Sequence, residues 1–347
     1  MTSVMTVTGP VDSADLGTTL THEHIFNDVT SWWHETASPG WSAEDFASRP
    51  VTMDLLWDLR HDPFGNRDNC RLDSEPLAVT EIGRYAALGG RTIIDATGLG
   101  VGRDLALLRR VSAATGVNIV AGTGDYLDGA LPAEVASFGP EQFAEAIVRD
   151  VVDGEDGIRP GIIGEIGVSA DFTPGERASL EGALIAQREL HLPIEVHLPA
   201  WFRRAGEVLD LAEHHGVDPS MVVLCHMGPS GDDLAYQEQL LRRGAWVQYD
   251  MIGMEVFYAD QGVQCPSDEQ NATWLCRLAE RGHLGRLLVS QDIFIKSLLR
   301  HYGGPGYGHI LQYFVPRLRR LGMTEDDVTQ LLTTNPRTLF ETAHKEN

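Results

Sequence analysis

From residue 91 onward the chain repeats one rhythm: a short apolar, β-branched run, a glycine or polar cluster, then a helical pattern. The runs are "RTIIDATG" (91–98), "NIVAGTGDY" (118–126), "GIIGEIG" (161–167), "LPIEVHLP" (192–199), "VVLCHMG" (222–228), "AWVQYDMIG" (245–253) and "RLLVSQDIF" (286–294). With "TTLTHEH" (18–24) they number eight. Strands alternating with helical patterns of about 10–15 residues read as βα units on a parallel sheet. Eight such units in 347 residues fit an α/β fold of the (β/α)₈ TIM-barrel class, one domain spanning 1–347, better than an open doubly wound sheet. An open sheet calls for a glycine-rich dinucleotide fingerprint after an early strand, and "GLGVG" (98–102) lacks its full spacing.

Helix signals fall between the runs. Thr173-Pro174-Gly175-Glu176 has capping-box spacing with proline at the first helical position. Ser74 and Pro76 open a helix that Gly89-Gly90 closes, and Thr324 with Asp327 opens the last one, which Asn335-Pro336 is expected to end. Residues 27–74, 254–272 and 295–308 break the rhythm. The first holds Trp32, Trp33, Trp41 and Trp57, and in a barrel all three crowd the carboxyl-end mouth where pockets form.

The net charge of −23 repels phosphate backbones and anionic lipid, so nucleic-acid and membrane-surface partners are not expected. Four cysteines without CxxC pairing read as free thiols. With no apolar run long enough to span a bilayer and no visible signal segment, the expectation is a cytoplasmic protein with a small-molecule substrate.

Side chains alternate on a strand, so His22 and His24 share one face of the first run. Glu165 ends the fourth run, His197 the fifth, His226 the sixth and Asp292 the eighth. In a closed barrel those ends ring a single mouth. Each residue alone has a plainer use: a hydrogen-bonded core histidine, a buried ion pair, a helix cap for Asp292. Together, four imidazoles and two carboxylates suit borderline divalent ions, Zn²⁺ first and Mn²⁺ or Co²⁺ as alternatives, and six ligands exceed what one ion takes from protein. Two ions about 3.5–4 Å apart hold a hydroxide that attacks a polarised carbonyl or phosphoryl centre. Asp292 is the expected catalytic residue, holding metal and accepting the proton of the attacking water. Tyr126, Asp125, Lys296 and Tyr307, at strand ends or in mouth loops, are candidates for substrate binding. Glu195 sits two before His197 on the same face, and a carboxylate inside a barrel needs a partner, so it is expected to hold a ligand from behind. Cys225 is expected to face the helices.

"THEHIF", "GIIGEIG", "VHLP", "CHMG" and "VSQDIF", with "GLGVGRD" (98–104), "GTGDY" (122–126) and "NPRTLF" (335–340), resemble the motifs of the phosphotriesterase family within the amidohydrolase superfamily. The resemblance implies a homodimeric barrel hydrolase with a binuclear site, acting on esters, lactones, amides or phosphotriesters. It further implies that His22, His24 and Asp292 hold the more buried ion, that His197 and His226 hold the more exposed one, and that Glu165 bridges. Many members bridge with a carbamylated lysine; glutamate at 165 is similar to a branch whose substrates include N-acyl amino compounds. In "HMGPSGDD" the acids fall at Asp232 and Asp233, later than in phosphotriesterases proper. A carboxylic ester, lactone or amide is therefore expected ahead of a phosphotriester, with a non-catalytic metal-containing binding protein as the alternative from another class.

Overall fold

The computed structural model describes residues 2–36 and 42–343; Trp41 lies outside that range. The eight runs form eight parallel strands: Thr19–Glu23, Thr92–Asp95, Asn118–Thr123, Ile162–Gly167, Ile194–His197, Val222–Leu224, Trp246–Tyr249 and Leu287–Val289, each hydrogen-bonded to its sequence neighbours. The seam between the eighth and the first mixes backbone and side chain. The amide of Asp292 donates to the carbonyl of His22 (3.3 Å), the amide of His22 to Ser290 Oγ (3.0 Å), and Thr21 Oγ1 to the carbonyl of Val289 (3.3 Å). The barrel thus closes through the residues that carry the first and last candidate ligands.

Helices follow the strands and cover the outside, their apolar faces packing on outward-facing strand residues such as Ile163, Val196 and Leu224. Thr173 and Glu176 form the expected capping box ahead of Pro174–Leu190. The bottom of the barrel is plugged by two apolar clusters: Val4, Leu16, Ile94, Val120, Ile162 and Phe340 in one, and Val223, Cys225, Trp246, Leu288 and Leu339 in the other. Leu339 and Phe340 come from a helix spanning Asn335–Ala343, so Asn335-Pro336 does not end the last helix. A five-residue π-turn, Gln330–Thr334, precedes it. The Asn335 carboxamide then donates to the carbonyls of Leu284 (2.7 Å) and Leu287 (2.8 Å), fastening the renewed helix under the eighth strand. Burying each such side chain contributes roughly 1.5–3 kcal/mol. Among the described residues, the plugged floor leaves the barrel interior approachable from its carboxyl end.

The segment after the first strand is ordered rather than loose. Asn27–Asp28 pairs antiparallel with Arg71–Leu72, and Phe46, Val51, Leu55 and Leu59 make a small core of their own. Asn66 ties it together, its Nδ2 donating to the carbonyls of Phe46 (2.6 Å) and Arg49 (2.9 Å). Among the described residues no helix is long and apolar enough to cross a membrane.

Candidate metal centre

The strand ends bring all six candidate ligands together, from a sequence span of 271 positions. Glu165 stands in the middle. Its Oε1 lies 2.7 Å from Nδ1 of His197 and 2.7 Å from Nε2 of His226, and 3.7 Å from Nε2 of His22; its Oε2 lies 3.6 Å from Nε2 of His24. Asp292 Oδ1 is 3.3 Å from Nε2 of His24 and 3.7 Å from Nε2 of His22. One carboxylate therefore contacts the His22–His24 pair on one side and the His197–His226 pair on the other.

Three of the four imidazoles, His22, His24 and His226, are held from behind so that one nitrogen faces the centre. His24 Nδ1 meets Thr97 Oγ1 at 2.8 Å, and His226 Nδ1 meets Asp250 Oδ1 at 2.9 Å. The amide of His226 also donates to both Asp250 oxygens (3.0 and 2.9 Å). Behind His22, Nδ1 lies 3.2 Å from Glu195 Oε2 and 3.3 Å from Gln248 Nε2. A carboxylate behind an imidazole sets its tautomer and raises its basicity. His226 and Asp292 also have left-handed backbones, φ 58° and 50°. Such conformations cost of order 1–3 kcal/mol for a side-chain-bearing residue and gather where structure is spent on function.

The electrostatics are those of a carboxylate-rich pit. Burial pulls the His22 imidazolium down, but Glu165, Glu195 and Asp250 outweigh it and push its pKa up to about 10. For Glu165 burial works upward, yet the imidazoles of His22 and His197 hold its carboxyl well below the usual range. Negative charge buried this deeply calls for cations to offset it.

The residues fit a pair of divalent ions. Nε2 of His22 is fully buried with no hydrogen-bond partner, although it points between Glu165 and Asp292. An unsatisfied buried nitrogen costs roughly 1–3 kcal/mol, and a cation at that point would remove the deficit. Three compact donor groups share His22: His22-Glu165-His226 and His22-His24-Asp292 at the centre, and His22-Glu195-Cys225 behind it.

The centre floors an open cleft of about 670 Å³, mouth included. Tyr126 lines it, and its hydroxyl sits 3.3 Å from Nδ1 of His197. The other three candidates for substrate contact are spent elsewhere and do not line it. Lys296 pairs with Asp68 at 2.6 Å and Asp73 at 3.6 Å. Tyr307 donates to the carbonyl of His24 at 2.7 Å, bracing the first strand end. Asp125 is buried in the field of Arg103 and Asp150, and burial lifts its pKa to about 6. His309 is taken by Asp268 at 2.7 Å. Asp233 caps the helix Leu234–Arg242 and Asp232 points to solvent, so neither reaches the cleft.

Cys225 corrects the expectation from alternation. Its Sγ lies inside the barrel, accepting from Gln248 Nε2 at 3.4 Å and close to His22 and Glu195. The left-handed turn at His226 explains it, because two successive side chains then face inward. Asp250 is the residue that sequence reasoning passed over. It follows the seventh strand as Asp292 follows the eighth, and that parallel in "WVQYD" was the available signal.

The phosphotriesterase family model matches residues 2–340. An N-acetyltaurine hydrolase of Tetraodon nigroviridis is 34% identical over 339 residues, covering 96% of each chain. A resiniferatoxin-binding protein from Rhodobacter sphaeroides has 48% identity and a TM-score of 0.95, covering 97% of this chain and 94% of its own. The phosphotriesterase homology protein of Escherichia coli, solved with phosphate in its active site, has 31% identity and a TM-score of 0.78, covering 94% and 99%. With the fold, the order of the motifs and the match along nearly its whole length in agreement, this chain belongs to the phosphotriesterase family.

Proposed function

We propose that the chain is a binuclear metal-dependent hydrolase of a carboxylic ester, lactone or amide, with Zn²⁺ as its ion. The observation that carries the reading is the orphaned Nε2 of His22, one of six converging donors at the floor of an open cleft. When bound, two such ions polarise the substrate oxygen and acidify water. His22, His24 and Asp292 would hold one, His197 and His226 the other, with Glu165 between them. The protein supplies the rest. Asp292 lines the cleft and is placed to take the proton of the attacking water. Asp250, Thr97 and Glu195 keep the imidazoles aimed, so their orientation costs nothing when substrate arrives. Apolar and aromatic side chains such as Phe64, Trp201 and Phe294 line the cleft beside the centre.

A second reading, a ligand-binding protein without turnover, is favoured by the relative named for binding resiniferatoxin. Metal analysis of the purified protein, with a screen of p-nitrophenyl esters, lactones, N-acyl amino acids and paraoxon, separates the two. Bound metal with turnover of a carboxylic substrate is expected. Paraoxon as the best substrate would make the chain a phosphotriester hydrolase, and metal-loaded protein inert to all of them would favour the binder.

A further inference from the structure

Among the described residues that line the cleft, one buried polar side chain has nothing to bond. Asn27 lines it, is only 3% exposed, and neither its Oδ1 nor its Nδ2 has a hydrogen-bond partner among the described residues. Its backbone is fixed on both sides, by pairing with Leu72 and by the adjoining Asp28 amide donating to the carbonyl of Val101 at 2.8 Å. The carboxamide is thus held in place with a donor and an acceptor both free. A buried amide left unpaired is costly, which is tolerated where a ligand completes it.

Around Asn27 the wall is aromatic. Trp32 stacks on Phe64 (ring centroids 5.3 Å), Phe64 meets Tyr258 (5.2 Å) and Phe294 (6.1 Å), and Trp201 packs edge-on against Tyr258 (5.6 Å). No lysine or arginine lines the cleft among the described residues, and residues 37–41, Ala-Ser-Pro-Gly-Trp, include none. Arg67 lies over the Trp33 ring at 3.6 Å, Arg203 over the Tyr236 ring at 5.1 Å, and Lys296 pairs with Asp68. A sulfonate or carboxylate on the far end of a substrate would lose its water and find no counter-charge.

We propose that the cleft selects an uncharged aromatic substrate whose non-reacting polar group, an amide or hydroxyl, is hydrogen-bonded by the Asn27 carboxamide. This rests on the hydrolase reading and narrows it. It separates the chain from any enzyme built for an anionic N-acyl sulfonate, because aromatic faces and a neutral donor–acceptor pair recognise a different chemistry.

The test uses two isosteric esters on the Zn²⁺-loaded protein, 4-carbamoylphenyl and 4-carboxyphenyl phenylacetate, which differ in one charge. Their non-cleavable ketone analogues are titrated alongside by tryptophan fluorescence. The carbamoyl compounds are expected to win by about 10–100-fold, in KM for the esters and in Kd for the ketones, since uniform binding is what Asn27 supplies. Asn27→Leu is expected to bring the carbamoyl ester down to the level of unsubstituted phenyl phenylacetate and to leave the latter's KM within a few-fold. Ketones that discriminate without any ester being cleaved would sink the hydrolase reading and leave this inference standing. Equal binding of the two ketones by the wild-type protein overturns the inference, with no variant needed. So does an Asn27→Leu protein that loses the substituted and unsubstituted compounds alike, which would make Asn27 structural.

Discussion

Replacing Asp250 with asparagine removes one charge and almost no volume, behind a ligand rather than at the ion. Asp250 is fully buried and receives the Nδ1 side of His226 at 2.9 Å while both its oxygens accept the His226 amide. Asparagine offers a single acceptor. If that oxygen serves the amide, Nδ1 faces an NH₂ group and must act as acceptor, which moves the ring proton to Nε2. The Nε2 lone pair that would hold the ion, on the nitrogen 2.7 Å from Glu165 Oε1, is then lost. A hydrogen bond to a charged group is worth roughly 1.5–3 kcal/mol. Spread over an affinity at 1.4 kcal/mol per decade, that is about 10–100-fold, the range found for partners standing behind metal ligands. The measurement is a chelator-competition titration of Zn²⁺ on wild type and Asp250→Asn, with circular dichroism to establish that both are folded. One of the two ions is expected to weaken by that factor, and kcat at saturating Zn²⁺ to fall with it. A folded variant holding both ions within twofold of wild type would refute the claim that Asp250 sets the His226 tautomer.

Four further outcomes are expected. Glu165→Ala should lose metal stoichiometry as well as rate, and unchanged metal content by elemental analysis would remove it from the bridging position. Asp292→Asn should keep at least one ion yet lose most of kcat; near-normal turnover would exclude it as the proton acceptor. Glu195→Gln should weaken the ion nearest His22 by about 10-fold or more in the same chelator titration, and an unaltered titration would reduce Glu195 to packing. Burial lifts Asp125 to about 6 against the opposing pull of Arg103, above an unfolded value near 3.9. The folded state therefore binds the proton more tightly, and the charged carboxylate works against folding increasingly as pH rises from about 4 through 6. Asp125→Asn should gain roughly 1–3 kcal/mol on wild type between pH 4 and pH 7.5; parallel denaturation profiles across that range would contradict it.

The barrel and its ligand set were legible because their signals are local. A β-branched run between turn residues is a strand wherever it lies, and HxH puts two imidazoles on one face by alternation alone. Repeated eight times, those local rules leave few architectures. The same rules failed where the backbone departs from them: alternation sent Cys225 outward, whereas the left-handed turn at His226 keeps it inside. Pro336 marked a helix end, whereas a π-turn before it lets the helix resume and plug the barrel.

The one-dimensional pattern by itself determined the fold class, the mouth as the place for chemistry, and the six side chains that meet there. Tertiary structure alone decided which of the other charged groups serve that site. Lys296 and Tyr307 come from the right loop, but Asp68 and the His24 carbonyl, 228 and 283 positions away in sequence, claim them. Asp250 was one acid among many until closure set it behind His226, and Asn27 an ordinary polar residue until packing left its carboxamide unmatched. Strand formation depends on near neighbours along the chain, whereas pairing, burial and an unmet hydrogen bond depend on neighbours in space, which exist only once the sheet has joined its two ends.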